Sequence, residues 1–115
     1  EVIEKIVTAL DKKKAEDIKV INIHDLTILA DYFIIASGNS TTQTKALADE
    51  VEYQLSLLGI EPTRTEGHSG STWIILDYSD ILVHIFYKET REFYSLERLW
   101  SDGKEMDVSH LVTAN

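Results

Sequence analysis

The stretch from Trp73 to Tyr87, WIILDYSDILVHIFY, decides the fold. It holds two β segments, Trp73 to Tyr78 and Ile81 to Tyr87, rich in β-branched and aromatic residues. Only Ser79-Asp80 separates them, so a tight antiparallel hairpin is expected. That dipeptide is not the Asn-Gly type that such turns prefer. A two-residue loop sets Tyr78 opposite Ile81, Asp77 opposite Leu82, Ile75 opposite His84 and Trp73 opposite Phe86. Alternation then sorts the side chains onto two faces. Ile74, Leu76, Tyr78, Ile81, Val83 and Ile85 make an ordinary core face. Trp73, Ile75, Asp77, Leu82, His84 and Phe86 make a second apolar face with a carboxylate and an imidazole set into it. Both faces need cover. Either helices supply all of it, or part of the second face stays open as an anchor for a partner. The hairpin alone leaves both readings open.

Upstream, Glu61 to Glu66 reads as a short polar edge strand and Gly67-His68-Ser69-Gly70 as a loop. Ser40 starts the clearest helix. Ser40 and Gln43 fit a capping box, in which the serine side chain accepts from the Gln43 amide and the glutamine reaches back. Thr44, Leu47, Ala48, Val51, Leu55 and Leu58 share one helical face, and Gly59 suits the left-handed turn that closes it. Tyr32 to Ser37 reads as a covered inner strand, and Asp17 to Ile23 as a strand with aliphatics on both faces, with a turn or short helix over 26–30. Val2, Ile3, Ile6, Val7 and Leu10 repeat at helical spacing before the run Lys12-Lys13-Lys14. Downstream, Thr90 or its neighbours cap a last helix with an apolar stripe of Phe93, Leu96, Leu99 and Trp100. These elements predict an α/β fold: a mixed sheet of about five strands with helices packed on it. Residues 1–100 form one domain in this reading, and 101–115 a polar tail.

The chain has 115 residues, enough for one core that buries roughly two thirds of the unfolded surface. It contains no cysteine, which rules out disulfide scaffolds and cysteine-zinc sites. Its apolar runs are far shorter than the ~20 residues of a membrane span, so no membrane partner is expected. No secretory signal opens it, and Glu1 already lies inside an amphipathic pattern, which leaves room for a natural start upstream. The net charge is −9, from 20 acidic and 11 basic residues. Phosphate backbones repel such a surface, so no direct nucleic-acid specificity is expected and a basic protein partner fits better. The lysine run reads as the solvated end of a helix, where cations are favoured.

Signals for chemistry are weak. His24, His68, His84 and His110 have no metal-type spacing. There is no nucleophile elbow and no phosphate loop. Ser37-Gly38-Asn39-Ser40, between a strand and a helix, is the nearest approach to an enzyme motif, since nucleotidyltransferases use a similar turn. They also need alternating carboxylates on a following strand to hold magnesium. Glu61 to Glu66 offers no such pair, and Asp77 and Asp80 are three apart across a turn. No catalytic residue, metal ligand or cofactor is therefore assigned.

Several blocks together resemble the Iojap, or ribosome silencing factor, family. They are Asp17 to Val20, Leu29 to Ser40, Gln43 with Ala46 and Asp49 to Val51, Glu66-Gly67, Trp73 to Tyr78 with Asp80, Val83 to Phe86, and Arg91 with Tyr94 to Trp100. The resemblance implies a nucleotidyltransferase-like fold without the catalytic carboxylates. It implies a cytoplasmic protein, homodimeric when free, that binds the large ribosomal subunit through that subunit's fourteenth protein. Subunit joining is then hindered and translation falls when nutrients are short. Organelle relatives point instead to large-subunit assembly. The partner-facing block falls on Trp73, Asp77, Tyr78, Asp80 and His84, with Tyr94, Glu97 and Trp100. In this reading Trp73 anchors, Asp77 and Asp80 pair with partner cations, and His84 and Tyr78 hydrogen-bond to the partner.

Overall fold

In the computed structural model, which describes residues 2–112, the first apolar repeat winds into α1 (Val2–Lys12). Ile3, Ile6, Val7, Ala9 and Leu10 are buried along one side of it. The chain then runs through β1 (Glu16–Asn22), β2 (Tyr32–Gly38), α2 (Thr41–Ser56), β3 (Arg64–Glu66), β4 (Trp73–Asp77) and β5 (Ile81–Tyr87). After β5 come α3 (Lys88–Tyr94), α4 (Leu96–Leu99), β6 (Lys104–Met106) and a short 3-10 turn, Ser109–Leu111. The strands form one six-stranded sheet in the order β3-β4-β5-β2-β1-β6. Among the described residues only β2 and β5 pair in parallel; the other neighbours are antiparallel.

The hairpin register agrees with alternation about a two-residue turn. Trp73 faces Phe86, Ile75 faces His84 and Asp77 faces Leu82. The first face carries Ile74, Leu76, Ile81, Val83 and Ile85 into the main core with Ile34, Ala36 and Val20, under α1 and α2. A second, smaller core lies on the other face. It gathers Ile21, Ile23, Ala30, Phe33, Ile35 and Phe86, with Leu96 and Trp100 packed against it.

The start of α2 follows the capping logic with one change. Ser40 Oγ accepts from the Gln43 amide at 3.0 Å. The Gln43 side-chain oxygen reaches one residue further back than the box predicts and accepts from the Asn39 amide at 2.7 Å. Its Nε2 donates to the Lys14 carbonyl at 3.1 Å, which ties α2 to the turn after α1. The helix stops at Ser56, so Leu58 falls outside the apolar stripe and is exposed. Gly59 takes φ 77°, the left-handed geometry that ends the helix.

Three expectations need correction. The sheet has six strands rather than about five, because Lys104–Met106 adds to the β1 edge from a stretch with no apolar alternation. The last helix is two short helices, because Ser95 adopts the left-handed conformation (φ 49°, ψ 50°). That break cancels the helical spacing, so Leu96 and Trp100 pack inward while Phe93 and Leu99 face solvent. Thr90 does not cap α3: the N-cap position is Tyr87, with no side-chain cap.

Candidate docking surface

The second face of the hairpin is covered in part. α3 and α4 lie over its inner half, where Phe33, Ile35 and Phe86 are buried. Its outer half, with Trp73, Ile75, Asp77 and Leu82, stays partly open. Structural cover and an open strip thus coexist on one face.

A run of rings leads from this core to the surface. Trp100 meets Phe33 with centroids 5.3 Å apart, and Phe33 meets His84 at 4.7 Å. Trp73 lies 6.0 Å from His84 and 4.8 Å from Tyr94, and Tyr94 meets Phe93 at 5.1 Å. Phe33 and His84 are buried, Trp73 and Trp100 partly buried, Tyr94 half exposed and Phe93 80% exposed. Rigid aromatics supported from behind make good binding anchors, because little side-chain entropy is lost when a partner covers them.

His84 is the polar member of this run. Its Nδ1 accepts from Trp73 Nε1 at 3.1 Å, which places the ring proton on Nε2. The ring is buried, and burial lowers its pKa from 6.5 to about 4. His84 therefore orients Trp73 from inside the fold and is itself 5% exposed. An unfolded chain takes up this proton near pH 6.5, whereas the folded protein resists until about pH 4. Stability from this group is complete above pH 6.5 and is lost as pH falls towards 4, by about 3 kcal/mol in all. Urea midpoints across that range should fall less steeply in His84→Phe than in the parent.

Other expected site residues lie apart from the rings. Tyr78 sits on the first face against the main core, with its hydroxyl buried and unpartnered. Burial, then the charges of Glu52 and Glu61, push its phenol above the ordinary range. The register is as expected and Tyr78 does not reach round to join Trp73. Asp77 accepts from the Ser79 amide at 2.8 Å and lies 3.4 Å from Arg64 Nε, so it already has partners within the chain. Asp80 is exposed at the turn, and its carbonyl accepts from the Asp31 and Tyr32 amides. Glu97 is bonded to buried Arg91 at 3.0 Å and lines a shallow groove with Trp100.

Trp73, His84, Tyr94 and Trp100 are thus brought together through Phe33, with Glu97 beside Trp100, while Asp77, Tyr78 and Asp80 are not part of that cluster. The residues the sequence reading passed over are Ile75 and Leu82, half open beside Trp73, and exposed Phe93. Ile75 and Leu82 were visible as second-face positions. Phe93 was hidden by the assumption of one continuous helix.

The family model described as "Ribosomal silencing factor during starvation" (RsfS) matches residues 1–115. The chain belongs to the RsfS family. It is 35% identical to a ribosomal silencing factor RsfS of Halalkalibacterium halodurans, over 98% of this chain and 97% of that protein. It is 39% identical to the RsfS of Bacillus subtilis, over 87% and 85% of the two chains. A mouse relative named mitochondrial assembly of ribosomal large subunit protein 1 is 31% identical over 86% of this chain, which covers 45% of that longer protein. A crystal structure from Chromobacterium violaceum superposes with a TM-score of 0.85 at 34% identity, covering 88% of this chain and 84% of that one. RsfS proteins are named as regulators, not as enzymes.

Proposed function

We propose that this chain binds the large ribosomal subunit in the cytoplasm, on the face that meets the small subunit, and blocks their joining. Translation is thereby repressed when nutrients are scarce. The partner within the subunit is its basic fourteenth protein. The observation that carries this reading is the supported aromatic run that ends in exposed Tyr94 and Phe93 beside the open strip of Trp73, Ile75 and Leu82. The net charge of −9 supports it too, since an acidic surface is steered towards a basic one and away from bare RNA.

The mechanism is steric. The complex must outlast encounters between the subunits, so slow dissociation matters more than any chemistry. When free, the chain pairs with a second copy, and Tyr53, Leu57 and Leu58, exposed near the end of α2, are available for that contact.

The test uses purified protein and isolated large subunits. The protein should sediment with the large subunit, and the fraction of joined ribosomes should fall as protein is added. Failure to co-sediment at micromolar concentration in low salt would falsify the proposal. A second reading is large-subunit assembly, favoured by the name of the mouse relative. Immature particles that accumulate on deletion, with no effect of the protein on mature subunits, would favour it over silencing.

A further inference from the structure

Across the sheet from α3 and α4, a different set of side chains meets. Asp49 and Glu52 lie three residues apart on α2, so their carboxylates project from one side of the helix. His68 comes from the turn after β3. One oxygen from each acid and one imidazole nitrogen all lie within 4.8 Å of one another. Ligand atoms around a tetrahedral zinc ion are themselves roughly 3.5 Å apart. Asp49 is exposed and Glu52 and His68 are partly so, and metal binding would draw the three atoms together by about 1 Å.

We propose that Asp49, Glu52 and His68 form a zinc site that clamps the turn before β4 onto α2. This goes beyond the ribosomal reading and does not depend on it. The turn is built before any metal arrives. Gly67 has φ 90°, and a Cβ there would collide with the Trp73 carbonyl oxygen, so glycine is required. The Ser71 amide donates to the Gly67 carbonyl at 2.9 Å, and Ser71 Oγ donates to the His68 carbonyl at 2.9 Å. His68 is therefore presented from a closed turn, and binding has less backbone to order.

The contacts already present are weak competitors. His68 Nε2 stands 3.5 Å from Glu52 Oε2, and Lys45 Nζ stands 3.8 Å from Asp49 Oδ2, both long for charge-assisted hydrogen bonds. The imidazole selects the metal. Nitrogen with carboxylate oxygen suits zinc, whereas magnesium and calcium prefer oxygen alone. Three protein ligands leave a fourth position for water. The imidazole must be neutral to bind, so acid weakens the site.

Isothermal titration of metal-free protein with zinc chloride at neutral pH tests this. One equivalent should bind, and magnesium chloride should give no heat. His68→Ala and Glu52→Gln, each checked for folding by circular dichroism, should weaken zinc binding at least about tenfold, while His24→Ala should leave it unchanged. Zinc at a hundredfold its Kd should favour the folded state by a factor of about one hundred in the parent but not in His68→Ala. Absence of zinc binding to the parent, or equal binding by folded His68→Ala, overturns the site.

Discussion

Replacing Arg91 with leucine should destabilise the protein by about 3 kcal/mol, the low end of what removing one partner of a buried ion pair costs. Arg91 is 5% exposed, and it ties three separated parts of the chain. Its Nη1 donates to the Asp17 carbonyl at 2.7 Å and to Ser37 Oγ at 2.8 Å. Its Nε donates to Glu97 Oε2 at 3.0 Å, and its Nη2 lies 3.5 Å from Asp17 Oδ2. One side chain therefore joins the start of β1, the end of β2 and α4. Asp17 has φ 51°, beside an irregularity in the β1–β2 register. The Arg91 bond satisfies its carbonyl there. Leucine would leave that carbonyl, the Ser37 hydroxyl and the Glu97 carboxylate without their partner. Glu97 keeps 28% of its side chain exposed, so water recovers some of the loss, and the estimate stays low. In urea the midpoint should fall by about 1–2 M. Adding Glu97→Leu should restore part of the deficit, because no unpaired charge remains. A midpoint within about 0.3 M of the parent's would show that the network is not structural.

Tyr94→Ala is expected to weaken binding to the large subunit roughly thirtyfold, about 2 kcal/mol, while leaving the fold intact. Tyr94 is 53% exposed, so truncation removes little from the core. Its ring stands between half-buried Trp73 and exposed Phe93, at 4.8 and 5.1 Å. That central position, with support on both sides, is where interface energy concentrates. The loss should persist at raised salt, because a buried ring is not screened as surface charges are. Titration of labelled protein against large subunits measures it. Affinity within threefold of the parent, with unchanged thermal unfolding, would remove Tyr94 from the interface.

Local pattern carried much of this fold. Alternation between Trp73 and Tyr87 gave the correct pairing of Ile75 with His84 and of Trp73 with Phe86. The spacing from Ser40 to Leu55 gave α2, because a cap and an apolar stripe are both short-range signals. What escaped depends on contacts between distant residues. No spacing rule reports that Glu97 turns inward to Arg91, or that Trp73 donates to His84. The break at Ser95 has no glycine to announce it, and β6 carries no alternation. The grouping of Trp73 and His84 with Tyr94 and Trp100 came from the family resemblance, because no local pattern links the hairpin to residues beyond it. The pairing of Asp77 with Arg64 was not legible, since a carboxylate on a strand looks the same whether or not a cation stands beside it.

The two outer strands are three residues each, Arg64-Thr65-Glu66 and Lys104-Glu105-Met106, and all six residues are exposed. Each margin is thus too brief and too charged to recruit another chain into a growing ribbon. Free molecules are thereby protected from edge-to-edge association into fibres.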